Sequence, residues 1–228
     1  MVPNKPHTPD PEAQQLYLKG REFVANAAKL QDYGKTRRET LEKAIEYFEQ
    51  AVSKDPNYAA PYVSLAESYL SLQFFSGAKG TETFPKVEAA ASKAIEMDEK
   101  LAEAHEILAR AKFSHDWDWA GAEKKFRRAR ELNPSVRGFP FDSYAGLLAA
   151  TGRFDESVAE IKRINELDPN PSRSHFDLGF VLYWARRYDE AIEHFQKAIQ
   201  ANSAAPAHFF LGFAYAQKSR FRRRSWQG

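Results

Sequence analysis

The chain has 228 residues, of which 43% are apolar, 14% aromatic and 28% charged, and its formal net charge is +2. This is enough apolar material for a folded core, and the near-zero charge argues against a globally basic nucleic-acid or membrane-surface protein. No cysteine is present, which excludes disulfides, thiolate catalysis and cysteine-rich zinc sites and suits a cytoplasmic location. No apolar run approaches the roughly 20 residues of a membrane span, and the N-terminal segment lacks the apolar core of a signal peptide.

The two ends of the chain differ in pattern from its middle. Residues 1–11 contain four prolines and no periodic apolar residue, which predicts a tether, because proline does not fit inside a helix. From residue 12 to residue 218 apolar side chains recur at helical spacing, so this part is predicted to form one continuous array. Residues 219–228 include four arginines and are predicted to form a solvated basic tail.

Residues 171–203 show the repeating unit of the array most clearly, as two amphipathic helices folded back on each other. The first carries Leu178-Gly179, where the glycine allows a second helix to approach closely. The second carries a small-large-small triplet, at spacings of four and three, on one face. The triplet occurs five times, as Ala44/Phe48/Ala51, Val87/Ala91/Ala94, Ala122/Phe126/Ala129, Ser157/Ile161/Ile164 and Ala191/Phe195/Ala198.

The spacing of the triplets resembles that of a known repeat. Their third members lie 43, 35, 35 and 34 residues apart, and a proline follows three of them five positions later. Together with the Leu-Gly pair, this resembles the tetratricopeptide repeat, whose period is about 34 residues. The resemblance implies an all-α solenoid of helical hairpins, wound as a right-handed superhelix, with about five repeats and an unpaired terminal helix at residues 206–218.

Two segments are longer than the repeat requires. About twelve additional residues lie within residues 26–40, either as helix extension or as a loop. Nine more lie within residues 71–86, where Gly77, Gly80 and Pro85 predict a loop. Phe74 and Phe75 predict that this loop is held against the protein, because leaving both exposed would forfeit about 1.5–3 kcal/mol each.

Two sequence segments make the resemblance to this family more specific. These are LYLKGR at residues 16–21, leading to AIEYFEQA at 44–51, and DWDWAGAE at 116–123. Both are similar to repeat regions that follow an effector domain in large bacterial regulators. That similarity implies the regulatory C-terminal part of a signalling or transcription protein, with residues 1–11 as the interdomain linker.

The family resemblance implies a scaffold whose first helices line a concave groove for a protein or peptide partner. Counting the family's slots gives the predicted groove residues Tyr17, Arg21, Glu67, Glu106, Arg110, Phe113, Phe176, Phe180, Tyr183, Phe209 and Phe213. Phe139 and Asp142 occupy corresponding slots of the fourth repeat. The C-terminal half of this set is aromatic, which favours aromatic anchors for a partner. If the register slips by one residue, some of these aromatic side chains pack between helices instead.

The lysine and asparagine with which some family members clamp a C-terminal carboxylate are absent from the first two repeats, which have Tyr17/Arg21 and Val63/Glu67 at those slots. A partner with that type of acidic tail is therefore disfavoured.

Histidines and acids supply the other candidate sites. His105, His175 and His208 share one slot in successive first helices, which separates them by whole repeats and predicts packing rather than a common metal. His115, Asp116 and Asp118 are metal-ligand types, but they alternate with tryptophans. This alternation predicts a tight turn that buries Trp117 and Trp119, with the two aspartates capping the next helix.

No glycine-rich phosphate loop, nucleophile elbow or H-E-x-x-H helix occurs in the sequence. The sequence therefore predicts a non-enzymatic protein without cofactor or metal, whose partner is a protein or peptide rather than nucleic acid or membrane. An alternative is self-assembly into a homo-oligomer, in which Leu211, Ala214 and Tyr215 of the terminal helix pack on another copy.

Overall fold

A computed structural model describes residues 7–30, 34–136, 143–201 and 206–225. The helices are α1 (Pro11–Lys29), α2 (Lys35–Lys54), α3 (Ala59–Ser76), α4 (Gly80–Met97), α5 (Ala102–Ala111), α6 (Trp119–Leu132), α7 (Ser143–Ala150), α8 (Phe154–Leu167), α9 (Pro171–Trp184), α10 (Tyr188–Gln200) and α11 (Pro206–Ser225), with a π-helical turn at Lys112–Asp116. No strand occurs in these ranges, and the predicted all-α fold is confirmed. None of the described helices is both long and apolar enough to cross a membrane.

The chain forms two compact units, Met1–Leu132 (unit 1) and Asn133–Gly228 (unit 2). Unit 1 consists of the hairpins α1/α2, α3/α4 and α5/α6, and unit 2 of α7/α8, α9/α10 and the final helix α11. The division falls at Asn133, whose Oδ1 accepts hydrogen bonds from the backbone N and the Oγ of Ser135 at 3.1 and 2.9 Å and so turns the chain directly after α6. The predicted limits of the array, residues 12–218, stay a prediction.

The small-large-small triplets form the centre of each hairpin. Every triplet residue is at most 3% exposed, which confirms the predicted register. The glycines of the first helices explain how the large member fits. A Cβ atom on Gly20 would lie 2.4 Å from Cε1 of Phe48, and one on Gly179 would lie 2.7 Å from Cδ1 of Phe195. Each phenylalanine therefore packs directly on the bare backbone of the facing helix.

The two long connections are mostly helical. α1 and α2 together take up most of the additional residues of the first hairpin. The prediction of a loop over residues 71–86 is wrong except at residues 77–79. Gly77 adopts a φ of +66° and ends α3, while Thr83 and Phe84 are buried and hold the start of α4 against the core. Burial thus stabilises a helix where glycine and proline predict a loop; the side chains of Phe74 and Phe75 lie outside the described residues.

Part of the predicted tether is attached to α2. His7 Nε2 lies 2.7 Å from Asp55 Oδ2, and the backbone N–H of Asp10 donates to the same oxygen at 3.0 Å. Asp10 Oδ1 in turn accepts from the backbone N–H groups of Glu12 and Ala13 and caps α1. Residues 7–10 therefore fix the start of α1 beside the end of α2.

At the other end, α11 runs to Ser225. Residues 219–225, predicted as a solvated tail, continue the helix. Arginine is a good helix former, so this composition is compatible with helix once the preceding turns are in place.

Candidate partner-binding surface

Aromatic side chains of α9 and α11 gather in unit 2, and we call this group the aromatic cluster. Its members are Phe176, Phe180, Tyr183, Trp184, Phe209, Phe210 and Phe213. Phe210 is the hub, with its ring centroid 5.2 Å from that of Phe180, 5.6 Å from Phe209 and 5.9 Å from Phe176. Edge-to-face packing of this kind stabilises the rings in fixed orientations. The cluster is therefore a preorganised aromatic surface.

The cluster has a buried base and an exposed rim. Phe209, Trp184 and Phe213 are 62%, 58% and 43% exposed, and Phe180 and Tyr183 are half-buried. Phe176 is 4% exposed, so its prediction as a free groove residue is wrong. The reason is its place on the face of α9 that α10 covers, where its ring packs on Phe195 at 6.0 Å. The Phe176 ring therefore stabilises the core. The other four aromatic residues predicted in unit 2, Phe180, Tyr183, Phe209 and Phe213, lie nearer the surface.

Slot counting missed two members of the cluster. Phe210 is equivalent to Asp177 of the preceding repeat, 33 residues earlier. The family pattern has no groove residue at this position, so the slot count passed over it. Trp184 lies one residue beyond the last slot of α9. The density of aromatic residues in FFLGF at 209–213 was the available signal for Phe210.

Tyr17 and Arg21, the first predicted pair, lie together on α1. Arg21 Nη1 donates to Tyr17 Oη at 3.0 Å, and its Cζ lies 5.9 Å from the Tyr17 ring centroid. The Tyr17 ring packs on Tyr58 at 5.3 Å and Phe48 at 5.9 Å. Arg21 is exposed, and this pair stays a candidate contact for a partner.

Two of the charged residues predicted for the middle of the groove are buried. Arg110 Nη1 lies 3.5 Å from Glu67 Oε1 and 3.7 Å from Glu106 Oε2. Glu106 and Arg110 are 2% and 4% exposed, so the prediction that they line an open groove is wrong. Buried charges of opposite sign must pair with one another to offset their lost hydration. Glu67 and Phe113 are half-buried, and Phe139 and Asp142 lie outside the described residues.

The turn between α5 and α6 differs from its prediction. Trp117 and Trp119 are 74% and 40% exposed, and the prediction that they are buried is wrong. The π-helical turn ends at Trp117 with a φ of +56°, a left-handed backbone that breaks the assumed alternation of buried and exposed side chains.

Of the two aspartates in this turn, Asp118 is the cap of α6. Its Oδ1 accepts from the backbone N–H of Gly121 at 2.9 Å, which confirms the capping prediction for Asp118. A Cβ on Gly121 would lie 2.0 Å from Asp118 Oδ2, so glycine makes room for the capping carboxylate.

Asp116 contacts other polar side chains instead of capping α6. His115 Nδ1 lies 3.0 Å from Asp116 Oδ1. Burial raises the pKa of Glu88, and a hydrogen bond with Asp116 raises it further. No three histidine or acidic side chains in the described parts of the chain are placed to hold a metal ion.

The three histidines of the shared slot have different surroundings. His105 is 5% exposed and its Nε2 lies 2.9 Å from the carbonyl oxygen of Glu99, which confirms a packing role. His175 Nδ1 lies 3.1 Å from His194 Nδ1 of α10. His208 is exposed, so its predicted packing role is wrong, because none of the described residues covers that face of α11 as α10 covers α9.

We expect the stability of the protein to fall as the pH drops below about 6.5. Partial burial lowers the pKa of His175 and His194 from the ordinary value of 6.5, and at His194 the adjacent His175 lowers it further. The unfolded chain therefore binds more protons than the folded one in this range, and the free energy of unfolding decreases. The midpoint of urea denaturation at about pH 7.5 and about pH 5.5 measures the effect.

A double variant, His175→Asn with His194→Asn, is the control for this pair. It should lose less stability between the two pH values than the unmodified protein does. Equal losses in both proteins would show that the pair does not contribute to the pH dependence.

The residues predicted for self-assembly lie on two sides of α11. Leu211 and Ala214 belong to the core that α11 shares with α9 and α10, and Ala214 is 0% exposed. The predicted packing of Ala214 on another copy is therefore wrong, and that of the half-buried Leu211 stays a prediction. Tyr215 is 47% exposed, and its Oη lies 3.0 Å from Nε2 of Gln196, which donates to it. Phe209 and Phe213, with Gly212 between them, are exposed as well.

Comparison with known proteins agrees with this architecture. A family model described as the tetratricopeptide repeat matches residues 172–204, the unit first identified in the sequence. The crystal structure of TTC0263, a thermophilic TPR protein of Thermus thermophilus, aligns with a TM-score of 0.65 at 18% identity. The alignment covers 90% of this chain and 97% of that chain. At this identity the likeness shows the fold alone.

Two curated relatives match longer parts of the sequence. Small glutamine-rich tetratricopeptide repeat-containing protein 2 of Mycosarcoma maydis is 29% identical over 106 residues, which are 46% of this chain and 30% of that protein. The transcriptional regulator HilA of Salmonella typhimurium is 26% identical over 153 residues, which are 67% of this chain and 27% of that protein. The match to HilA confirms the resemblance to a large bacterial regulator. The chain spans at most 30% of the length of either relative.

Proposed function

We propose that the chain is a non-enzymatic interaction module of the tetratricopeptide-repeat type, which binds a protein or peptide on the aromatic cluster of unit 2. The repeat match at residues 172–204 and the fold support this proposal. Repeat proteins of this kind present extended surfaces built from successive hairpins. The half-buried Phe180 and Tyr183 and the exposed Phe209 and Phe213 are the proposed anchors. A cytoplasmic location stays a prediction that rests on the cysteine-free composition.

The exposure of large aromatic side chains on a rigid base is the observation that carries this proposal. Phe209 and Phe213 pack edge to face at 4.6 Å, so little side-chain entropy remains to be lost when a partner covers them. Full burial of such a ring contributes about 1.5–3 kcal/mol.

The Phe213→Ala variant tests this surface. We expect it to lose proteins that the unmodified chain captures from a cell extract, with binding weakened by about 2 kcal/mol or more, as for an aromatic hot spot. Far-ultraviolet circular dichroism should stay unchanged, because Phe213 is 43% exposed. Pull-down with mass spectrometry measures the loss.

Leu18→Ala is the matched control, since Leu18 is also an exposed apolar residue, 58% exposed, but lies on α1 of unit 1. It should retain the captured proteins. If both variants capture the same proteins as the unmodified chain, the aromatic cluster is not the binding surface.

A second candidate function rests on the match to HilA. The aligned 153 residues are 27% of that regulator, so we propose that the chain corresponds to the repeat part of a larger bacterial regulatory protein. The undivided reading frame tests this directly. An effector domain encoded upstream would support it, and a frame that encodes only these 228 residues would contradict it.

A further inference from the structure

Two histidine side chains of unit 2 face each other across the α9/α10 hairpin, and we call them the histidine pair. His175 of α9 and His194 of α10 have their Nδ1 atoms 3.1 Å apart. Their ring centroids are 5.2 Å apart, and the ring planes are inclined at 50°. Both residues are half-buried, so packing holds the rings while one side of the pair stays accessible to small solutes.

The two Nδ1 atoms of the pair share one proton. At this distance one ring donates its Nδ1–H and the other accepts with its lone pair, because two Nδ1–H groups would repel each other. Partial burial lowers the pKa of both histidines, so the neutral rings predominate at about pH 7.5. Neutral imidazole is also the form of histidine that binds metal ions.

The distance between the two nitrogen atoms suits a shared metal ion. Zinc binds imidazole nitrogen at about 2.0–2.1 Å. An ion at that distance from both Nδ1 atoms, which lie 3.1 Å apart, would have an N–metal–N angle of about 100°, near the roughly 109° of a tetrahedral site. The helices would not have to move. The ring that donates Nδ1–H would only have to carry its proton on Nε2 instead.

The equivalent positions of the α5/α6 hairpin lack this property. His105 occupies the slot of His175, and Lys125 precedes Phe126 as His194 precedes Phe195. Burial lowers the pKa of His105, and the nearby charge of Lys125 lowers it further. An ammonium group has no lone pair to offer a metal ion. The histidine pair is therefore a feature of the α9/α10 hairpin and not of the repeat in general.

Glu193 supplies a further oxygen ligand beside the pair. Its charge raises the pKa of both histidines and so opposes the effect of Lys197, which lowers it. Glu193 Oε1 lies 2.6 Å from Lys197 Nζ, but the two side chains are 61% and 46% exposed. An ion pair this exposed is held weakly, so the carboxylate can exchange the lysine for a metal ion.

We propose that the histidine pair binds one divalent transition-metal ion of the zinc class through its two Nδ1 atoms, with water or Glu193 completing the coordination. Imidazole suits zinc, copper and nickel, whereas calcium and magnesium prefer oxygen ligands. No three histidine or acidic side chains of the described residues already form such a site, so binding is reversible and weaker than at a structural zinc site with four protein ligands. The aromatic cluster is not involved, and the inference does not rest on the proposed function.

Titration of the full chain with Zn²⁺ at about pH 7.5, followed by isothermal calorimetry, tests the site. We expect saturable binding of one ion per chain. His175→Asn and His194→Asn should each weaken it at least tenfold, because a single imidazole cannot chelate the ion. His208→Asn is the matched control, since His208 is exposed on α11, and it should bind Zn²⁺ as the unmodified chain does. Ca²⁺ should not bind at the pair.

Nuclear magnetic resonance of the unmodified chain gives a readout that does not depend on whether a variant folds. In long-range ¹H–¹⁵N spectra, the Nδ1 signals of His175 and His194 should shift together as Zn²⁺ is added, and a chelator should reverse the shift. The thermal midpoint should rise with Zn²⁺ as well, because an ion that bridges α9 and α10 binds the folded chain and not the unfolded one.

Three results would overturn the proposal. The first is that neither Nδ1 signal of the pair changes at millimolar Zn²⁺. The second is that both asparagine variants, folded by circular dichroism, bind Zn²⁺ as tightly as the unmodified chain. The third is that His208→Asn abolishes binding while the variants of the pair retain it, which would place the ion adventitiously on a surface histidine.

Discussion

Replacing Phe195 with alanine is expected to lower the free energy of unfolding of unit 2 by about 3–5 kcal/mol. The side chain is 0% exposed and fills the space between Gly179, Phe176 and Phe210. Because Gly179 has no side chain, α9 offers nothing at that position that could fill the cavity. Urea denaturation followed by far-ultraviolet circular dichroism measures the loss.

Phe209→Ala is the control for this prediction. Phe209 belongs to the aromatic cluster on which Phe195 packs. It is 62% exposed, so its loss should cost about 1 kcal/mol or less. Similar losses for the two variants would contradict the view that Phe195 is part of the core and that Phe209 lies on the surface.

Gly20→Ala is expected to destabilise unit 1 by about 1–3 kcal/mol. Alanine is a far better helix former than glycine, and in an open helix the change would stabilise by about 1 kcal/mol. On α1, however, the new Cβ would lie 2.4 Å from Cε1 and 2.7 Å from Cδ1 of Phe48, a ring with no exposed surface. The clash outweighs the gain in helix propensity because a fully packed ring has no room to shift.

Gly212→Ala provides a comparison of opposite sign. At the equivalent position of α11 the new Cβ would have no atom within 4 Å other than those of its chain neighbours and its own helix backbone. The substitution should therefore stabilise the protein by about 0.5–1 kcal/mol. Thermal denaturation of the two variants side by side checks the pair. A gain in stability for Gly20→Ala would show that Phe48 does not pack on α1 in the way described.

The core of the fold could be predicted from the sequence because each hairpin repeats one physical solution. A phenylalanine such as Phe126 at the centre of a small-large-small triplet can be buried only against a matching helix, and its spacing identifies that helix. The pattern therefore located the buried triplets correctly even where the proline that usually follows is missing, as at Glu99 and Ser203.

The segments between helices and the candidate site could be predicted only in part. Counting positions within a repeat gives no information about contacts between residues that are far apart in the sequence. The start of α4 is helical because Phe84 is buried, which its local composition does not reveal. From the sequence, Arg110 is predicted to be a charged groove residue. The structure shows that it lies beside Glu67 and Glu106 instead. Likewise, the sequence shows that Phe176 and Phe209 are equivalent, and only the structure shows that α10 covers one of them and not the other.

The surface position of the tryptophans decides what intrinsic fluorescence reports about this protein. Trp117, Trp119 and Trp184, the three within the described residues, are between 40% and 74% exposed, so their indole rings already meet water in the native state. Their fluorescence emission is consequently a poor indicator of unfolding of the core. Tryptophan emission would instead report binding of a partner beside Trp184, because a bound molecule would shield that indole from a dissolved quencher.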